Sequence, residues 1–100
     1  RTMSRYKIDG SDKVVDTSLA TYSHNCGVNK VGYGHVQETV YRSRSGRWYV
    51  ERVYDWTEHG KSVDYAEFTT PQQAAAMILA SGGNLPDYPE IKAAELDVLE

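Results

Sequence analysis

His24 and Cys26 stand one residue apart, and a thiol beside an imidazole is the smallest pair from which a nucleophile and its base can be built. His35 and His59 could join them if the fold gathers all three imidazoles. A catalytic set, however, is defined by geometry and by oriented roles, and nothing in this spacing fixes either. The same residues have no matched ligand spacing for zinc, and Cys26 is the single cysteine, so neither a zinc knuckle nor an internal disulfide is available. We therefore expect no catalytic residues, no metal and no cofactor, in a chain that is not an enzyme. Gly32-Tyr33-Gly34 is two-thirds of a dinucleotide-binding fingerprint. The third glycine is missing and the segment leads into a strand pattern, whereas a phosphate is cradled at a helix N-terminus.

The denser constellation is basic and aromatic. Arg42, Arg44, Arg47 and Arg52 are interleaved with Tyr41, Trp48 and Tyr49. Arginine contacts phosphates and reads guanine through two parallel hydrogen bonds, and a two-stranded ribbon fits the major groove of DNA. The candidate nucleic-acid or partner-binding residues are thus Tyr41, Arg42, Arg44, Arg47, Tyr49 and Arg52. The plainer reading makes Trp48 a core residue and leaves the arginines to keep a hairpin tip in water. The net charge of −3 works against strong non-specific attraction to DNA.

These residues must be positioned by strands. Val36 to Arg42 and Trp48 to Trp56 are rich in β-branched and aromatic residues, and Ser45-Gly46 fits a three-residue connection with glycine in the left-handed region. That connection sets Ser43 opposite Arg47, Tyr41 opposite Tyr49 and Val40 opposite Val50. Alternation then gives one face of Val36, Val40, Trp48, Val50, Tyr54 and Trp56, with Glu38 facing Arg52 as an ion pair. The other face carries Gln37, Thr39, Tyr41, Arg47, Tyr49, Glu51 and Val53 and is half polar. After the bend Thr57 to Gly60, Ser62 to Phe68 reads as a third antiparallel strand.

The clearest helix start is Thr70 as N-cap, Pro71 in the first helical position and Gln73 completing a capping box. That helix covers about 71–81, stops at Gly82-Gly83, and presents Ala75, Ile78 and Leu79 on one side. Pro89 opens a short last helix toward Leu99. Near the start, Tyr6 to Ile8 and Lys13 to Val15 flank the turn residues Asp9 to Asp12 as a small strand pair, and Asp16 or Thr17 caps one helical turn through Ala20. Residues 21–35, with glycines at 27, 32 and 34, read as a loop feeding the hairpin. Arg1 to Ser4 have no periodicity, so residues 1–5 are expected to be a disordered start or a cloning remnant.

One hundred residues make a single small domain, 1–100, of the α+β class: a three- to five-stranded antiparallel sheet with the 71–81 helix on one face and a short C-terminal helix. With 40% apolar and 25% charged residues the composition is that of a soluble globular chain, with no apolar run long enough for a membrane. No secretory leader pattern is visible, and we expect a cytoplasmic location without membrane contact. Charge divides along the chain. Residues 1–50 hold eight Lys/Arg against four Asp/Glu, a charge of +4, and residues 51–100 hold three against ten, a charge of −7. This is the pattern either of a basic binding face or of two faces that neutralise each other. Eight tyrosines against one phenylalanine favour a surface that meets a partner or water.

Ser45-Gly-Arg-Trp-Tyr-Val-Glu-Arg-Val53, then Gly60-Lys61, then Ala66-Glu-Phe-Thr-Thr-Pro-Gln-Gln-Ala-Ala75 resembles the three-strand-plus-helix order of AP2-like domains and of integrase arm-type DNA-binding domains. The resemblance implies a sheet lying in the major groove, with Arg42, Arg44, Arg47, Tyr49 and Glu51 or Arg52 at the matching positions. Residues 14–90 are also similar to small uncharacterised bacterial and phage-borne proteins, through Asp16-Thr17 with Ala20-Thr21, Tyr41-Arg42 with Gly46-Arg-Trp48, and Leu85-Pro86. That likeness implies no activity. The expected function is a non-catalytic binding module, nucleic-acid-binding or regulatory, acting through the Arg/Tyr-rich hairpin. The alternative is a protein-binding inhibitor or accessory protein of a phage or other mobile element, using its tyrosine-rich face or acidic C-terminal helix, and a homodimer is compatible with either.

Overall fold

The computed structural model describes residues 5–32, 34–56 and 61–94. A ribbon of two short antiparallel strands, β1 (Arg5–Lys7) and β2 (Val14–Asp16), runs into a single 3-10 turn at Thr17–Leu19. Four longer strands follow: β3 (Tyr22–Val31), β4 (Gly34–Arg42), β5 (Trp48–Trp56) and β6 (Lys61–Phe68). They pair in chain order as an antiparallel sheet, and the helices α1 (Pro71–Ala80) and α2 (Pro89–Lys92) come last. The class is α+β, with the first ribbon as a second, separate sheet.

The turn between β4 and β5 fixes the central register. Ser43 N–H donates to Arg47 O at 2.8 Å, and Gly46 takes a φ of 88°, which a residue with a Cβ adopts only under strain. Val40 therefore faces Val50, Tyr41 faces Tyr49 and Glu38 faces Arg52, the register expected from the spacing. The segment read as a loop is instead β3, paired along its length with β4. Its glycines do punctuate, but at two points only. Gly27, at φ 100°, sits at a β-bulge where its N–H donates to Asn25 Oδ1 at 2.7 Å, and Gly32, at φ 58°, lies between β3 and β4. Ahead of the bulge the inward residues are Tyr22, His24 and Cys26, whose polarity hides a strand's alternation from composition alone.

One face of the sheet is covered by α1 and α2. Val40, Trp48 and Val50 pack against Ala74, Ala75, Ile78 and Ile91, with Tyr22 and Tyr88 closing around the indole at ring separations of 5.7 and 6.0 Å. Each large side chain so buried contributes about 1.5–3 kcal/mol. Thr70 caps α1 by accepting from Gln73 N–H at 3.1 Å, while the Gln73 side chain takes the hydroxyl of Thr69 at 3.0 Å. At the other end Gly82 and Gly83 donate to Leu79 O and Ile78 O, the paired bonds that close a helix through a left-handed residue, here Gly82 at φ 85°. The buried stripe is Ala74, Ala75 and Ile78; Leu79, expected on it, is 48% exposed because close approach of the helix brings the small Ala74 to the sheet instead. The last helix extends from Pro89 to Lys92, and its expected continuation toward Leu99 runs outside the described residues, as do Arg1 to Ser4, His59 and the side chain of Trp56.

The opposite face is covered too, by the β1–β2 ribbon. Tyr6, Ile8 and Val15 lie over Tyr49 and Ala66, with Tyr41 and Phe68 at the margin. Asp9 N–H donates to Ala66 O at 2.9 Å, which ties the ribbon to the outer edge of β6. Glu51 lies in this contact as an acceptor for two phenols, Tyr6 at 2.5 Å and Tyr41 at 3.2 Å. Arg5, expected to precede the fold, is part of β1 and pairs with Asp16 at 3.2 Å.

Candidate functional site

The six residues singled out from sequence fall into three different environments. Arg42 is held against α2: its Nε donates to Glu90 Oε2 at 2.5 Å, and its guanidinium lies 4.2 Å from the centre of the Tyr88 ring. Glu90 accepts at the same oxygen from the Trp48 indole at 2.9 Å. The Arg42 hydrogen bond brings the Glu90 carboxyl down to about 2, and the same bond raises the guanidinium. Arg52 sits between Glu38, at 2.7 Å, and Glu67. Partial burial works against its charge, but the two carboxylate bonds outweigh that and hold its pKa above the ordinary value. Both arginines thus stitch the helix side of the sheet together.

The tyrosines are occupied differently. Tyr41 stacks on Tyr49 with ring centres 5.2 Å apart, and burial, aided by Glu51, pushes its hydroxyl up to about 12. Tyr49, placed by alternation on a half-polar outer face, is fully buried because the ribbon covers it. Burial raises its pKa, so the phenol keeps its proton, yet its hydroxyl has no hydrogen-bond partner among the described residues.

Arg44 and Arg47 are the two that remain exposed. They stand at the β4–β5 turn, where Ser43 Oγ accepts from Arg47 N–H at 3.0 Å and shapes the tip. The Arg47 guanidinium lies 3.8 Å over the Phe68 ring, an arrangement that limits its freedom before any partner arrives. Across from the tip is the β1–β2 ribbon, and between them runs an open trough of about 470 Å³. Arg5 and Lys13 bring its cations to four. Its single carboxylate, Asp16, already accepts from Ser18 N–H at 3.0 Å, from the Ser18 hydroxyl at 2.6 Å and from Arg5. Lys13, Arg44 and Arg47 have no carboxylate partner among the described residues. Val14, 66% exposed, and Leu19, 48% exposed, give the trough an apolar wall, and Tyr49 also lines it. A second groove, of about 530 Å³, lies between α1 and β6, but its cation is Arg52, already bonded to two carboxylates.

Sequence reasoning missed Arg5, Lys13, Val14 and Leu19, because they meet Arg44 and Arg47 only once the ribbon folds over the sheet, and Phe68, which reaches Arg47 through the pairing of β5 with β6. A signal was present in the exposed apolar residues Val14 and Leu19 beside a basic ribbon, though periodicity alone does not connect them to residue 44. The His24 and Cys26 pair has a structural place. Ser81 Oγ donates to Ile78 O at 2.9 Å, which makes His24 Nε2 the donor in its 2.8 Å bond to Ser81 Oγ at the end of α1. Burial raises the Cys26 thiol, the opposite of what an activated nucleophile needs. Among the described residues no three His, Cys, Asp or Glu side chains converge as a metal site, and no helix is long and apolar enough to cross a membrane. No protein-family model, no curated protein and no solved structure matches the chain.

Proposed function

We propose that the chain is a non-catalytic protein-binding module whose contact surface is the trough at the β4–β5 turn. The observation that carries this reading is the ribbon over Tyr49. A sheet that enters a DNA groove in the manner of AP2-like domains needs its arginine and tyrosine positions open on one face, and here the ribbon occupies that face over Tyr49, with Tyr41 at its margin. Of the four arginines in the hairpin, Arg42 and Arg52 hold the fold, which leaves two at the tip. The wall beside them is aliphatic, and aliphatic contact ringed by charge is the chemistry of a protein interface rather than of base stacking. The net charge of −3 weakens non-specific attraction to a polyanion further.

A photo-crosslinking residue at position 44, compared with one at the exposed Asn29 on β3, tests the assignment. Protein adducts formed from position 44, suppressed by Arg47→Glu and absent from position 29, are expected. Nucleic-acid adducts from position 44, or equal protein adducts from both positions, contradict the reading.

A further inference from the structure

Three features of the trough narrow what it takes. Its charge is one-sided: Asp16 is occupied by Arg5 and Ser18, while Lys13, Arg44 and Arg47 face solvent with no counter-charge among the described residues. Unpaired cations around one depression repel each other and gain from a ligand carrying more than one negative charge. Its wall is apolar and wet: Val14 and Leu19 expose 66% and 48% of their surface, and covering them is favourable. Its cations are partly ordered in advance, since Arg47 rests on Phe68 and Arg5 is bonded to Asp16, which lowers the entropy lost on binding. The volume of about 470 Å³ falls within the roughly 300–1,000 Å³ typical of ligand clefts, and the trough is open along the surface rather than closed.

Resting on the protein-binding reading above, we propose that the trough binds a short acidic segment of a partner protein in which carboxylates flank an aliphatic side chain. The aliphatic group covers Val14 and Leu19, and the carboxylates meet Arg44 and Arg47 on one rim and Lys13 and Arg5 on the other. Neither component suffices alone. A purely acidic chain leaves the apolar wall in water, and a purely apolar one leaves the cations without counter-charge. A phosphodiester backbone satisfies the cations but brings no aliphatic group to the wall.

Fluorescence anisotropy with the full chain and a labelled octapeptide alternating Glu and Leu tests this, alongside an all-Glu octapeptide and a short DNA duplex at equal ionic strength. The Glu/Leu peptide is expected to bind about tenfold more tightly than the all-Glu peptide, since one buried aliphatic side chain supplies that factor. Arg44→Glu with Arg47→Glu should weaken binding by at least about tenfold, and Leu19→Ser by about threefold to tenfold, with unchanged far-ultraviolet circular dichroism. Binding should weaken as salt rises but persist in part, the apolar share being unscreened. Equal affinity for the two peptides, or tighter binding of the duplex, overturns the proposal. So does an affinity untouched by either variant. If the Glu/Leu peptide does not bind while protein adducts still form at position 44, the segment class is wrong and the protein-binding reading stands; if both fail, that reading falls with it.

Discussion

Each face of the four-stranded sheet carries a cover, and the two differ in kind and extent. On one side α1 and α2 bury Trp48 between two tyrosines, and every arginine that reaches this side is closed by a carboxylate. On the other, two strands of three residues each contribute Tyr6 and Val15, and Ile8 follows just past β1, enough to bury Tyr49 but too little to extend over the β4–β5 turn. The thicker cover completes its own chemistry, and the thinner one leaves an edge. At that edge Lys13, Arg44 and Arg47, which have no carboxylate partner among the described residues, come together with exposed aliphatic side chains.

The largest expected effect separates the two covers energetically. Trp48→Ala removes the anchor of the helix side and should cost about 3–5 kcal/mol in urea denaturation, against about 1.5–2 kcal/mol for Val15→Ala in the ribbon. Equal losses would mean that the two covers stabilise the sheet alike. Next comes the clasp between α2 and the sheet. Glu90→Ala leaves the Trp48 N–H and the Arg42 Nε–H without their acceptor and should cost about 1–3 kcal/mol.

The same clasp has a pH signature. Because the folded protein holds the Glu90 carboxyl at about 2 against an ordinary 4.5, its stabilisation is complete above 4.5 and is lost as the pH falls toward 2. Urea midpoints should therefore drop more for the wild-type chain than for Glu90→Gln across that window. A parallel drop would assign the acid sensitivity elsewhere.

Smaller effects sharpen the contrast. A Cβ at Gly83 would lie 2.5 Å from His24 Cε1 and 3.0 Å from Ile78 Cγ2. Gly83→Ala should thus cost about 1–2 kcal/mol, and much less in a His24→Ala background, a coupling read from thermal melts of the four chains. Tyr49→Phe removes a buried hydroxyl that has no hydrogen-bond partner among the described residues, so the change should stay within about 0.5 kcal/mol and tend toward stabilisation. A loss above about 1 kcal/mol would mean that the phenol is bonded in solution.

What sequence makes legible here is local. The Gly46 turn, the register it dictates, the Thr70 cap and the glycine stop of α1 each follow from a few adjacent residues whose backbone demands are specific. The ion pair of Glu38 with Arg52 was readable because a known register makes it a geometric consequence. Long-range covering was not. Nothing in Tyr6-Lys7-Ile8 or Val14-Val15 says which face they lie on, and alternation marks Tyr49 as outward without saying whether outward means water. Arg42 has the same composition signal as Arg44 and Arg47, and only the approach of Glu90 on α2 tells that structural arginine from the available ones. β3 was missed because its inward residues, Tyr22, His24 and Cys26, are polar enough to resemble a loop.

The most direct test follows backbone amide shifts in a nuclear magnetic resonance titration with the Glu/Leu peptide. Shifts are expected only at Arg5, residues 13–19, 43–47, Tyr49 and Phe68, with β3 and the outer face of α1 unmoved. Shifts centred on β3 or α1, or spread evenly over the sheet, would contradict it.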